Sequence, residues 1–419
     1  MASGLTERAG IATLKTELTS FGKGGITLKR KTDALPRPVI DRRTAAVLLA
    51  AVLIFAAVRA LVAPRPAEES VSPAEYAEYE NGTVTEILSD STEQDSVSDG
   101  GWRGEQMMLV AVKTGQYAGE TMLVYNYVGP LYGVPLSVGD GCTMIVSTYA
   151  DGSHKATVYE YDRTGAAALV LGAFFLVTLL VGGKTGAKSL FGLVFTVACL
   201  FYLLFPALMK GAPTLPATFL LCVYVAAVSF AVLGGVQKKT LCALAGTVAG
   251  TALALLFALL AQKLLRTSGL RAADVEPLLQ LRQTGTPIGL RGLLAAGVVI
   301  SALGAVMDVA MSLSSALSEV HAADPALGKR ELFRSGMNIG RDMVGTMTNT
   351  LILAFIGSGL VLILYLYSIA PARHQLLSSA YLANELVCGV SSSIGVILSV
   401  PITAAVSAAA YGRRTEAEK

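Results

Sequence analysis

The chain has 419 residues, 53% of them hydrophobic and only 15% charged, with positive mean hydropathy and a net charge of +3. Soluble domains carry about 25% charged residues, so this composition excludes an ordinary soluble protein. Apolar runs of about 20 residues recur and imply an integral membrane protein. The five cysteines are scattered without a CxxC pair and the three histidines lie far apart, which argues against a disulfide framework or a metal site.

Residues 1–43 hold nine Lys/Arg against four acids, with Pro36 and Pro38 near the end. They are expected to form a disordered basic cytoplasmic tail. The positive-inside rule accounts for the charge, so no nucleic-acid role is assigned. Thr44–Ala63 is the first span. Its preceding region is too long for a signal peptide, and Leu61 and Ala63 make a poor cleavage site, so it is read as an uncleaved anchor.

Residues 68–163 differ in kind. Over 68–162, sixteen acids stand against three Lys/Arg, a balance of −13. Thr83–Leu88, Met107–Lys113, Thr121–Tyr127, Thr143–Tyr149 and Thr157–Tyr161 read as strands, separated by breaks such as Asp99-Gly100-Gly101 and Gly139-Asp140-Gly141. Five short strands predict a small extracytoplasmic β-barrel-like domain, OB-like or SH3-like. The acids over Ser89–Asp99 lack EF-hand spacing and are read as a solvated loop.

Seven further spans are expected within residues 166–410: Ala166–Val181, Leu190–Leu208, Leu215–Val236, Leu241–Ala261, a helix from about Gly292, Thr346–Tyr367 and Cys388–Ala410. With the anchor these make a polytopic α-helical membrane protein of about eight transmembrane helices. Both termini are cytoplasmic, and residues 411–419 form a short tail. Asp274–Arg282 is expected to be a short interfacial helix. Gly246 and Gly250 form a GxxxG pair suited to close helix packing. Gly183-Lys184-Thr185 resembles the end of a P-loop, but Thr178 stands where that motif needs glycine, so nucleotide binding is set aside.

The polar residues within the spans carry the functional signal. Ser301, Gly304, Asp308, Ser312, Ser315 and Glu319 recur at helical steps and share one face. Asp308 is the only charge between Gly292 and Ser318, and an intramembrane carboxylate is costly enough to read as a functional site. Asn338, Asp342, Gly345 and Asn349 form a second face, read either as a polar entrance or as caps at a helix N-terminus. Arg341 lies between them, with Glu319 or Asp342 as candidate partners. Ser391, Ser392, Ser393, Gly395, Ser399, Thr403 and Ser407 make a third small, polar stripe, suited to tight packing or to a wet path.

Three runs carry a resemblance: Asp308-Val309-Ala310-Met311-Ser312, Gly336-Met337-Asn338-Ile339-Gly340-Arg341-Asp342, and Gly345-Thr346-Met347-Thr348-Asn349-Thr350-Leu351. They resemble the YibE/F-like family of bacterial membrane proteins, over about residues 80–410. The resemblance implies a polytopic fold in the bacterial plasma membrane and brings no chemistry with it.

An enzyme is not expected. An intramembrane aspartyl protease needs two facing carboxylates, and Asp308 has no second carboxylate in the middle of another expected span. A serine hydrolase needs a base, and no histidine lies within a span. No cofactor is implied. The leading expectation is a secondary transporter or permease. Asp308, Ser301, Ser312, Ser315 and Asn349 form its ion or solute site, and Asn338, Arg341 and Asp342 its cytoplasmic entrance. The alternative is a non-transporting scaffold or envelope factor whose outer domain binds an envelope protein. The partners are then the lipid bilayer and an unidentified small solute or ion.

Overall fold

The computed structural model describes residues 42–62, 75–98, 100–149, 153–267, 276–283, 285–290, 292–369 and 373–412. The expected basic tail lies outside them except for Arg42 and Arg43, which open the first helix. Of the C-terminal tail only Tyr411 and Gly412 are described.

The strands are β1 (Glu75–Asp90), β2 (Glu93–Gln94), β3 (Trp102–Val112), β4 (Thr121–Val128), β5 (Gly141–Tyr149) and β6 (His154–Tyr161). All five expected strands are present. They close into a five-stranded barrel in the ring β1-β5-β6-β4-β3-β1, with β2 a two-residue flap on β3. Neighbours are antiparallel except β4 and β6, which run parallel. That mixed ring is the OB-like alternative. Closure depends on β1, which pairs with β5 through its first half and with β3 through its second. Gly82 sits where the two pairings meet. A Cβ there would lie 2.4 Å from Val110 Cγ1 and 2.9 Å from Met144 Cε, so only glycine lets the strand cross the barrel interior.

The barrel core is aliphatic, built on Val84, Met108, Val110, Val124, Met144 and Val146. One polar knot interrupts it. Buried Asn126 donates from Nδ2 to Gln106 Oε1 at 3.0 Å, and Gln106 donates from Nε2 to the Leu136 carbonyl at 3.1 Å. The Leu136 N–H donates back to Gln106 Oε1 at 2.8 Å, which pins the β4–β5 connection to the barrel. Gln106→Ala is expected to cost about 1–3 kcal/mol, because it orphans buried donors and acceptors. Chemical denaturation of residues 75–163, expressed alone and followed by a β-type far-UV spectrum, checks both the cost and the autonomy of the domain.

The helices are α1 (Arg42–Val62), α2 (Thr164–Cys199), α3 (Phe205–Met209), α4 (Thr214–Gly234), α5 (Lys238–Leu265), α6 (Glu276–Gln283), α7 (Leu293–Ala323), α8 (Lys329–Ser358), α9 (Leu360–Ile369), α10 (Arg373–Leu377) and α11 (Ala380–Tyr411). Six helical runs among the described residues are long and apolar enough to cross a membrane, or seven if the α8–α9 pair, bent by 62°, is one span. The difference from eight lies in residues 164–209, a run of 46 residues counted once. Straight, it would measure about 69 Å, twice a hydrocarbon core. It is not straight. Gly183 leaves helical geometry at φ 52°, ψ −132°. A Cβ on Gly186 would also lie 2.4 Å from the Thr178 carbonyl oxygen, a group about 12 Å away on a straight helix. The chain therefore folds back at the Gly-Lys-Thr sequence that resembles a P-loop end. The short helix expected at Asp274–Arg282 is present as α6.

Helix α11 is the centre of the bundle and packs on α5, α7 and α8. Its closest neighbour is α5, through the GxxxG pair. A Cβ on Gly246 would meet Thr403 Oγ1 at 1.9 Å, and one on Gly250 would meet Ser399 Cβ at 2.8 Å and the Gly395 carbonyl oxygen at 3.0 Å. The glycines thus let two backbones touch, the reading given to GxxxG in membranes. A second small pair, Gly336 and Gly340, seats α8 on the other side of α11, against Ala404 and Val400. Val306, Val309, Leu313, Leu317, Val396 and Val400 fill the space between these helices.

Candidate functional site

Helix α7 is packed by α4, α5, α8 and α11. The aliphatic face buried against them includes Val298, Val299, Ala302, Val306, Val309 and Leu313. One narrow strip remains uncovered. From Leu293 to Glu319 its exposed residues are Gly297, Gly304, Asp308, Ser312 and Glu319, every one small or polar. No large hydrophobic side chain of α7 is exposed. Helix α2 does the opposite and exposes Leu169, Val170, Leu171, Phe174 and Leu180, as a lipid-facing helix must. The two patterns separate a lipid face from a face that meets something polar.

Within that strip Asp308 has no hydrogen-bond or ion-pair partner among the described residues. Ser312 and Ser315 flank it one and two turns further along and likewise make no hydrogen bond to another side chain. Ser301 lies toward the other end of the strip. Its hydroxyl donates to the Val298 carbonyl at 3.0 Å and lies 3.1 Å from the Ser392 hydroxyl of α11. The structure therefore brings Ser301, Asp308, Ser312 and Ser315 onto one open face, as their spacing requires.

The second polar face needs a correction. Residues 338–342 do not form a loop or a helix start. Helix α8 begins at Lys329, and the Glu331 carboxylate accepts the Gly328 N–H at 3.1 Å. Asn338 and Asp342 lie more than two turns inside the helix, where every backbone N–H already has a partner, so the capping alternative is overturned. Its physical cause is the charge of Lys329, Arg330, Glu331 and Arg334, which hides the helical period from a hydropathy reading. Asn338, Arg341, Asp342 and Asn349 are all exposed on α8. Arg341 pairs with neither Glu319 nor Asp342. Asp342 contributes only its backbone carbonyl, which accepts the Thr346 hydroxyl at 3.2 Å.

Of the two readings of the third stripe, the structure bears out tight packing. Ser391, Ser392, Ser393, Ser399, Thr403 and Ser407 are buried, and they face the packed interior around α5 and α7. Ser393 and Ser399 satisfy their hydroxyls on carbonyls of their own helix, at 2.8 and 2.7 Å. This stripe packs helices together and lines no open path; its one link to the α7 strip is Ser392 beside Ser301.

One carboxylate escapes a reading by spans. Helix α11 starts at Ala380, before the expected Cys388, and so takes in Glu385. Among the described residues Glu385 is the only charged one lining a cavity of about 240 Å³ between α8, α9 and α11, whose walls include Ile352, Phe355, Ile363 and Leu386. The alternation of Leu382, Leu386 and Val390 around it is the signal that extends the helix backward. Among the described residues no group of three or more His, Cys, Asp or Glu side chains is placed to hold a metal ion.

Comparison with known proteins gives one result. The family model of the YibE/F-like proteins matches residues 170–413, which takes in α4, α5, α7, α8 and α11. The match begins after the barrel, whereas the resemblance read from the sequence reached back to about residue 80. No curated protein and no solved structure matches the chain. The bundle that holds the polar strip is thus the matched region, and the chain belongs to the YibE/F-like protein family.

Proposed function

We propose that this protein is a secondary transporter or permease of the bacterial cell membrane, with Asp308 as the group that binds the transported or coupling cation. The carrying observation is the composition of the open α7 face: a carboxylate without a partner among the described residues, whose exposed neighbours one turn to either side are Gly304 and Ser312. Such a face is costly against lipid and natural against water. Ser312 and Ser315 supply hydroxyls that donate to an anion or accept from an acid, and Ser301, whose hydroxyl donates to the Val298 carbonyl, offers acceptor capacity. Asn349 adds an amide at similar depth, and Asn338, Arg341 and Asp342 line the cytoplasmic mouth.

In this reading the chain crosses the membrane eight times with both termini in the cytoplasm. The −13 balance of residues 68–162 supports an outer location for the barrel. Lys329, Arg330, Arg334 and Arg341 support an inner location for the α7–α8 turn. A scaffold role is the second reading. It draws on the barrel exterior, where Tyr79 and Tyr159 meet edge to face at 5.2 Å and Leu131 and Tyr132 are exposed.

Proteoliposomes holding the full chain test the proposal. Gradients of H⁺, Na⁺, K⁺ and Mg²⁺ are imposed in turn, with a pH dye and ion dyes as readout. At least one gradient is expected to dissipate faster than in empty vesicles. Rates equal to empty vesicles for every gradient, alone and against a mixed-solute extract, would overturn it.

A further inference from the structure

We infer that the cavity between α8, α9 and α11 is a binding site for a small amphiphilic organic cation, with Glu385 as the group that meets its ammonium. The site is separate from Asp308 and goes beyond the transport reading, since it is a matter of binding alone.

The cavity sits where a helix breaks. Helix α8 ends at Ser358, α9 starts at Leu360, and the two diverge by 62°. Glu385 is turned onto that break: the Cβ position of Gly359 lies 3.7 Å from its carboxyl carbon. The carboxylate is half-buried and has no hydrogen bond or ion pair among the described residues, not even with the N–H groups that open α9. The C-terminus of α8 brings the negative end of its dipole to the same place. A carboxylate and a helix C-terminus thus share one apolar space, and a positive charge between them eases both.

The walls select the kind of cation. Apart from Glu385, every residue lining the cavity is aliphatic, phenylalanine or glycine. A hard metal ion needs six or more oxygen ligands, and one carboxylate does not supply them. An organic ammonium needs a single counter-charge. It gains from apolar walls around its body and from an aromatic ring such as Phe355 beside its charge. The volume of about 240 Å³ is a little below the common range of small-molecule pockets, about 300–1,000 Å³, so the ligand is small. Ile356 and Leu386 in its lining are 48% and 55% exposed, so the mouth opens on an apolar surface that the ligand reaches through the bilayer. Glu385 lies five residues into α11, about 8 Å from its start. In a spanning helix that depth is close to the headgroups, where an amphiphile carries its charge. A lipid tail as occupant leaves the carboxylate unmet in an apolar space. A zwitterionic headgroup brings a phosphate that the carboxylate repels.

Equilibrium dialysis of radiolabelled benzyltrimethylammonium against the full chain in maltoside micelles tests the site, with protein-free micelles as blank. This detergent has no ammonium to compete. Saturable binding to one site per chain is expected, and neopentylbenzene, the neutral carbon isostere, is expected not to displace the probe. Glu385→Gln is expected to weaken binding about tenfold or more. Gly389→Val should do the same while keeping the charge: a Cβ there already lies 3.6 Å from Phe355 Cδ2, so valine grows into the cavity. Glu319→Gln, at the far end of the bundle, should leave the affinity unchanged. No saturable binding above the blank would overturn the inference, as would wild-type affinity in a folded Glu385→Gln chain or equal displacement by the neutral isostere. If one of the two cavity variants elutes as aggregate, the other and the isostere decide. Binding without flux keeps this site and removes the transporter; flux without binding does the reverse.

Discussion

Asp308→Asn is expected to abolish cation-coupled flux while leaving the amount of folded protein unchanged. The substitution keeps size and hydrogen bonding and removes both the charge and the titration. Nothing inside the chain leans on that charge, since Asp308 has no ion-pair partner among the described residues. A carboxylate that glued helices through a buried cation would behave differently: its loss leaves a charge alone, typically at about 3–5 kcal/mol. Asp308→Leu separates the two roles further. It removes flux as well, and because Asp308 has no partner among the described residues it leaves no group of the chain unpaired, so the amount of assembled protein is expected to hold, whereas loss of a gluing carboxylate would lower it. Membrane abundance by immunoblot and flux in proteoliposomes check both variants. Normal flux in the Asn variant across pH would end the coupling role of Asp308.

Gly250→Val is expected to cost about 3 kcal/mol, the upper end of the usual cost of overpacking. Here the clash includes backbone. A Cβ at 250 already meets Ser399 Cβ and Val306 Cγ1 at 2.8 Å and the Gly395 carbonyl oxygen at 3.0 Å, and valine adds two methyls beyond it. Gly395 cannot yield, because its own Cβ position is 2.7 Å from Ala254 Cβ. Valine therefore pushes α5 away from α11, and these two helices form the most extensive packing in the bundle. Gly172→Ala in α2 is the control. Nothing lies within 4 Å of its Cβ position, and alanine favours the helix by about 1 kcal/mol. Thermal denaturation in detergent should separate the two variants in opposite directions.

The parts of this fold that were legible in the sequence are those with a strong local period. The five barrel strands alternate, the apolar runs are long, and the serine and aspartate steps on α7 fix one face whatever surrounds the helix. What stayed hidden depends on neighbours. The stripe from Ser391 to Ser407 has the same chemistry as the α7 strip, and only the docking of α5 makes one a packing surface and the other open. The start of α8 was masked by Lys329, Arg330 and Arg334, which suit a loop as well as a helix. Strand β1 begins at Glu75, eight residues before the expected Thr83, because Glu75, Glu78 and Glu80 carry no apolar strand signal ahead of it. Gly336 and Gly340 lie in one of the runs that mark the family, yet only the structure shows them pressed against α11.

Transport through Asp308 requires the uncovered strip of α7 to meet a polar environment at bilayer depth. Spin labels at Ser312 on that strip and at Leu353, an exposed apolar position of α8, measure it in the full chain reconstituted in lipid. Collision rates with a water-soluble nickel chelate and with lipid-soluble oxygen are then compared. The nickel chelate is predicted to dominate at position 312 and oxygen at position 353. Oxygen-dominated collisions at both positions would place the strip against lipid and contradict a polar path along α7.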